Sequence, residues 1–435
     1  MAVIIQMGDK GELGEKIVND IVSKTYLKYW CFPNPKHENS DKKEICDLLI
    51  LFKNTIIIVS VKNYDFKGKY ERYFRNTLNK AISQIQGAER KLFKSNIEVI
   101  FNHPLKGEFL FDSDKYDTLH RIIVNINNEP LFYPGGSLNK NNDFVHVFNQ
   151  HAFEELVKEL DTIPDLIQYL NCREETFCNK ELLFMTGEEN DWTVETNQEF
   201  INYKLTNVNQ DEKSVLISGT ELDLLANYYY HERSFSKEIH LDEANHAFIQ
   251  LDQNFNKYLN DNQVKLKKEH DEESYLIDKL IEQDILYYNQ DNRIEMATEL
   301  LALSRFERRI AGSHFKDFLE MYQGHSKYFT AKRFGTYGEL ALGYFIHSDD
   351  IPIETVMNLM QLLVLGYSHW ENYKSKRVLV IGINTGRNQT KFSYDPNVEV
   401  LSGQEKQDLI KDLKLLNWFQ NLEKKNFNFK EYPEK

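Results

Sequence analysis

Ile45-Cys46-Asp47-Leu48-Leu49-Ile50-Leu51-Phe52-Lys53-Asn54-Thr55-Ile56-Ile57-Ile58-Val59-Ser60-Val61-Lys62 consists of two apolar, β-branched runs parted by two polar residues. Runs of strand length on either side of so short a break predict a β-hairpin over Ile45 to Val61. Twelve residues separate Asp47 from Ser60. Side chains alternate along a strand, so Ser60 and Lys62 share one face. The hairpin thus brings Asp47, Ser60 and Lys62 towards one point.

The flanks extend the pattern. Leu13, Ile17, Val18, Ile21, Val22 and Tyr26 recur at helical spacing and predict an amphipathic helix over Gly11 to Tyr29. The Pro- and charge-rich stretch from Phe32 to Lys43 suits an exposed loop. Beyond Lys62 come a helix from Tyr70 to Leu92, strands at Ile97 to Phe101 and Arg121 to Ile126, and a helix from Phe153 to Tyr169. This order predicts an α/β fold with an N-terminal mixed β-sheet flanked by helices.

Hydrolysis of a phosphodiester uses a divalent cation held by carboxylate oxygens, helped by a lysine near the attacking water. An aspartate buried among Ile45, Leu48, Leu49 and Ile50 calls for such a partner, because an unpaired carboxylate there is costly. Four places resemble the PD-(D/E)xK nuclease superfamily. They are Glu15 in Gly11-Glu12-Leu13-Gly14-Glu15, Asp47, Lys62 followed by Asn63, and Gln84 in Ala81-Ile82-Ser83-Gln84-Ile85-Gln86. The resemblance spans about Gly8 to Phe101, roughly a quarter of the chain. It implies a restriction-endonuclease-like fold and magnesium or manganese at Glu15 and Asp47. It also implies catalytic roles for Lys62 and Gln84, and Glu12 is the second choice for the helix-borne acid.

Ser60 departs from that pattern, where the family has Glu or Asp. A hydroxyl is a poor magnesium ligand. Three explanations stay open: an acid supplied from elsewhere, such as Glu12 or Glu71; a serine that holds a metal-bound water; or a site that no longer cuts. Glu44 is the weaker candidate, since its odd spacing from Asp47 would turn it to the opposite strand face.

After the hairpin, Lys67, Lys69, Arg72, Arg75 and Lys80 alternate with Tyr64, Phe66, Tyr70, Tyr73 and Phe74. Basic side chains grip phosphates and aromatic rings stack on unpaired bases, so this segment is the expected nucleic-acid contact. A solvated helix with its rings in the core is the competing reading. The net charge of −14 argues against general coating of nucleic acid and makes any contact local.

The second half predicts a strand at Val215 to Ser218 and a long, mostly helical region from Glu221 to Tyr322. Strands at Ala341 to His347, Arg377 to Ile383 and Val398 to Leu401 follow, with helices at Glu354 to Tyr367 and Glu405 to Leu422. The division expected is a nuclease-like domain over residues 1–175 and a larger, helix-rich α+β C-terminal domain over 176–435. The latter is a candidate sensor, partner-binding or homo-oligomerisation domain. Cys31, Cys46, Cys172 and Cys178 lack zinc-site spacing and are expected to be reduced thiols. Ser304-Arg305-Phe306-Glu307-Arg308-Arg309 reads as a self-paired helix, and Gly382-Ile383-Asn384-Thr385-Gly386 as a turn. His314, His325, His347 and His369 show no ligand spacing.

No apolar run is long enough for a membrane span and no signal-peptide layout opens the chain, so the expected location is cytoplasmic. The expected activity is a metal-dependent endonuclease acting on DNA ahead of RNA, in the manner of restriction or antiphage effectors. The alternative is a catalytically degenerate nuclease-fold module that binds nucleic acid or assembles a protein complex.

Overall fold

The computed structural model describes residues 10–36, 44–94, 99–103, 107–127, 129–187, 194–207, 213–240, 246–287, 292–322, 329–384, 386, 389–420, 422 and 424–432. Ile97, His325 and Thr385 lie outside these. The chain forms two compact units, Met1–Asp261 and Asn262–Lys435.

The first unit opens with α1 (Lys10–Ser23). Thr25 ends the helix by adopting an extended backbone and accepting the Leu27 N–H on its hydroxyl, so Tyr26–Tyr29 forms a separate 3-10 turn. β1 (Cys31–Pro33), β2 (Leu48–Phe52) and β3 (Thr55–Lys62) form an antiparallel meander. The hairpin register pairs Phe52 with Thr55, and Lys53 closes the turn at a φ of 49°. Every residue of β2 is buried, which accounts for its unbroken apolar run.

α2 (Tyr70–Phe74) and α3 (Lys80–Phe93) are joined by a π-helical turn, Arg75–Asn79. β4 (Val99–His103) and β5 (Gly107–Phe111) form a separate hairpin. β6 (Thr118–Asn125) then returns to the sheet parallel to β3. β7 (Phe132–Leu138), β8 (Phe144–Asn149), α4 (Gln150–Glu159) and α5 (Ile163–Thr176) follow. The single helix expected over Phe153 to Tyr169 is two, because Thr162 caps α5 by accepting the Asp165 N–H, with Pro164 in the first turn.

β9 (Lys180–Met185), α6 (Val194–Asn207), β10 (Lys213–Ser218), α7 (Glu221–Tyr230), β11 (His246–Gln250) and α8 (Asn254–Asn260) complete the unit. Its nine-stranded sheet has the order β1-β2-β3-β6-β8-β7-β9-β10-β11, with both parallel and antiparallel neighbours. The fold is therefore mixed α/β, a large mixed sheet flanked by helices. The expected division at residues 175 and 176 falls inside this sheet. β9 pairs with β7, and β10 and β11 extend from β9, so the first unit runs on to Asp261 and is the larger of the two.

The second unit contains α9 (Asn262–Asp271), α10 (Tyr275–Leu280), α11 (Arg293–Leu301) and α12 (Arg305–Tyr322). β12 (Thr330–Tyr337), β13 (Leu340–His347), α13 (Ile353–Trp370), β14 (Arg377–Asn384), β15 (Thr390–Asp395) and α14 (Gly403–Leu415) follow. Four strands in the order β12-β13-β14-β15 make its sheet, and α13 links the parallel pair β13 and β14. Phe345, Val356, Met360, Leu363, Val380 and Leu409 are central to its core. The strand expected at Val398 to Leu401 is Thr390–Asp395 instead; Val398 and Leu401 pack against the core as coil. Among the described residues, no helix is long and apolar enough to cross a membrane.

Candidate active site

Helix α1 reaches the end of β3 through Gly14. A Cβ at Gly14 would stand 3.3 to 3.4 Å from Ile126, Asn63 and Val61, so the helix approaches the sheet closely and carries Glu15 with it. Asp47 lies one residue before β2, and its backbone carbonyl accepts the Asn34 N–H at 3.0 Å. The Asn34 side-chain amide donates to Glu15 Oε2 at 3.3 Å, tying α1 to the chain beside Asp47.

Ser60 is buried and stands between the other site residues. Its Oγ is 3.2 Å from Asp47 Oδ2 and 3.2 Å from Gln84 Oε1, and it accepts from Lys62 Nζ at 2.9 Å. One hydroxyl proton serves only one of the two oxygens at a time. The Val61 N–H also donates to Asp47 Oδ2. Among the described residues, Asp47 Oδ1 takes part in no protein hydrogen bond. Lys62 Nζ donates to the Val61 carbonyl at 2.9 Å as well, which leaves one of its three N–H bonds for another group.

The third carboxylate of the site is Glu44. Glu15, Glu44 and Asp47 each offer a carboxylate oxygen, and these oxygens all lie within 4.8 Å of one another. The alternation argument against Glu44 does not apply, because β2 starts only at Leu48. Residues 34–36 and 44–47 pair irregularly beforehand, through a Lys36–Glu44 bridge and the Ile45 N–H to the Pro35 carbonyl. Lys91 of α3 donates to the Glu44 carbonyl and fixes this segment to the helix. Glu71, considered as a migrated acid, sits exposed on α2, and the acidic cluster does not include it or Glu12.

Charge crowding follows from this geometry. Partial burial and the Asp47 charge hold the Glu15 carboxyl above the usual range. Glu44 is raised by loss of hydration, then by Asp47 and Glu15. Burial lowers the Lys62 ammonium, against the opposing pull of Asp47, Glu15 and Glu44. Such crowding of hard oxygen donors is what a divalent cation relieves, so the donor set fits magnesium or manganese.

No protein-family model matches this chain, and no curated protein matches it.

Lys67, Lys69, Arg72, Arg75 and Lys80 are all exposed, as a phosphate-binding surface requires. The rings expected to stack on bases are placed differently. Tyr70, Tyr73 and Phe74 are buried. Tyr70 packs on Phe200 at 5.1 Å and Phe74 stacks on Tyr203 at 4.8 Å. They belong to the core because the helical period turns them inward while the cations face out. Phe66 packs on Tyr70 at 4.8 Å, and Arg72 lies 5.9 Å from the Tyr64 ring.

His120, His146 and Glu174 also converge with metal-ligand spacing. The hydrogen bonds make them a different kind of site. Arg173 Nη1 donates to His146 Nδ1 at 2.8 Å, so the proton of neutral His146 sits on Nε2, which donates to Glu174 Oε1 at 2.9 Å. His120 Nδ1 approaches the same oxygen at 2.7 Å. Burial and then the Arg173 charge bring His146 down to about 3, against the Glu174 bond. Burial alone would raise Glu174, but the two histidine bonds bring it down to about 2. Sequence spacing held no sign of this cluster, whose members come from β6, β8 and α5.

In the Ser304 to Arg309 run the arginines pair across elements rather than along their own helix. Arg305 and Arg308 both reach Asp278, and Arg309 reaches Asp271 at 3.0 Å. Ser304 and Glu307 cap the helix reciprocally. Cys31 and Cys46 are buried, Cys172 is half-buried and Cys178 is exposed, all as free thiols.

Proposed function

We propose that the first unit is a nuclease of the PD-(D/E)xK type that uses magnesium or manganese and cuts DNA in preference to RNA. The observation that carries this reading is the meeting of three carboxylates, Glu15, Glu44 and Asp47, beside the Lys62 ammonium and its Ser60 partner. The order of helix, hairpin, helix and parallel strand around them supports the restriction-endonuclease-like assignment. A cation at the three carboxylates would supply activation of water and neutralise charge developing on the phosphate.

The chain's own residues do the positioning. Lys62 spends two N–H bonds on Ser60 Oγ and the Val61 carbonyl and holds its third for the scissile phosphate or the attacking water. The Gln84 carbonyl oxygen shares the single Ser60 hydroxyl proton with Asp47, which leaves the Gln84 amide N–H groups as donors to phosphate. Ser60 then stands as the hub that orients Asp47, Lys62 and Gln84, while Glu44 restores the acid that the family's pattern would place at Ser60. Lys67, Lys69, Arg72, Arg75 and Lys80 are suited to hold the strand by its backbone.

Incubating the full chain with single- and double-stranded DNA and RNA, in magnesium and in manganese, tests the proposal. Cleavage is expected, with Asp47→Ala and Lys62→Ala each lowering it by about a hundredfold or more. Cleavage that survives both substitutions overturns the active-site assignment. Strand binding without any cutting would instead favour the non-catalytic binding module.

A further inference from the structure

We propose that the second unit carries a nucleotide pocket between β12, α13 and the segment after α14, which takes an aromatic base and its phosphate together. The ligand is either a free nucleotide or one unit of a single strand. The cavity holds about 410 Å³, within the range of small-molecule sites. It is separate from the N-terminal acidic cluster and does not depend on the nuclease reading.

One wall is aromatic. Phe334 of β12 stacks on Tyr367 of α13 at 4.2 Å with an interplanar angle of 8°. Trp370 leans on Tyr367 at 5.6 Å, and Phe419 closes the cluster 5.9 Å from Phe334. Tyr367 is buried and fixed by its hydroxyl's hydrogen bond with Thr336 at 2.9 Å, and Phe334 is held between Tyr367 and Gly343, while Trp370 and Phe419 pack on the core and stay partly exposed. The rings thus extend the core to the surface, where Trp370 and Phe419 offer the partly exposed rings on which a base can stack.

The other wall is cationic. Lys332, Lys424 and Lys425 line the cavity, and among the described residues no carboxylate does. In a chain of net charge −14 that local excess is pronounced. Lys332 lies over the Trp418 ring at 4.6 Å, and burial lowers its ammonium. Among the described residues it pairs with no acid. Arg333 borders the cavity, but alternation along β12 turns its guanidinium to α12, where it meets the His314 carbonyl and the Phe318 ring. Lys424 and Lys425 are exposed at the mouth.

An apolar ligand would leave the half-buried Lys332 ammonium without counter-charge. Inorganic phosphate would leave the rings uncovered. A nucleotide uses both walls, through base stacking and charge-assisted bonds to phosphate.

The test titrates the full chain, in chelator so that no strand is cut, with AMP, adenosine, inorganic phosphate and a short single-stranded oligodeoxyadenylate, read by tryptophan fluorescence and calorimetry. The double variant Lys424→Glu/Lys425→Glu changes exposed side chains only, and an unchanged Tm verifies its fold. AMP is expected to bind more tightly than adenosine or phosphate, and the double variant to bind at least about tenfold more weakly. If AMP binds in this way the source is a free nucleotide; if only the oligonucleotide does, with the same loss in the variant, it is a strand. Absence of binding by both, or equal binding to wild type and variant, overturns the proposal.

Discussion

In the proposed nuclease reading, Ser60 and Glu44 would divide between them what one acidic side chain does in the PD-(D/E)xK pattern. Ser60 contacts Asp47, Gln84 and Lys62, so it orients; Glu44 brings the charge. Substituting Glu44→Gln keeps the shape and removes one anionic oxygen donor. The concentration of magnesium or manganese giving half-maximal cleavage is then expected to rise by about tenfold or more, while Glu71→Gln leaves it unchanged. Equal metal dependence in wild type and Glu44→Gln would remove Glu44 from the site. Asp47, Ser60 and Lys62 were legible because strand periodicity governs most of the interval between them. Glu44 was not, since it sits on irregular chain whose direction is set by Pro35, Lys36 and Lys91, partners that no local period reveals.

Among the elements, the central strands are locked to α5 by one buried polar network. Glu174 links His120 of β6 to His146 of β8, and Arg173 continues from His146 to the Gly135 carbonyl of β7 and to Glu221 of α7. His146 titrates near 3 when folded, against about 6.5 for an ordinary histidine. Its folded value is depressed, so the unfolded chain binds the proton more readily between these limits. Stability is therefore present above about pH 6.5 and is lost as pH falls towards 3. Glu174, depressed to about 2, adds to the acid side of the same loss. His146→Gln is expected to lower Tm at neutral pH yet flatten its fall between about pH 6.5 and 4, read from thermal unfolding across pH. An unchanged slope would show that His146 does not govern the acid limb. The helices and the hairpin were readable from apolar spacing, but β7 was not. Its Phe-Tyr-Pro-Gly-Gly core carries the signals of a turn, yet the strand is irregular at Pro134 to Gly136. Gly135 and Gly136 are needed there because a Cβ at either would come within 2.2 Å of Phe184 or Phe144.

For the whole molecule, the division between units follows from which strand edges are left open. Composition changes little around residue 175, and the sequence offers a plausible end of helix there, but pairing partners decide the boundary. β7 is hydrogen-bonded to β9, so a chain ending at 175 uncovers the edge of β7 and discards everything from β9 to β11. It also removes Glu221 of α7, the carboxylate 2.8 Å from Arg173, together with the helix that helps to bury it. Phe200, stacked on Phe132 at 4.1 Å, goes with it. Fragment 1–261 is accordingly expected to unfold cooperatively and, on the proposed function, to keep the metal-dependent cleavage of the full chain. Fragment 1–175 should show no cooperative transition and should aggregate through its open edge. Circular dichroism melts with size-exclusion profiles compare the two, and a cooperative, monomeric 1–175 fragment would show that β9 to β11 are an appendage to an already complete core.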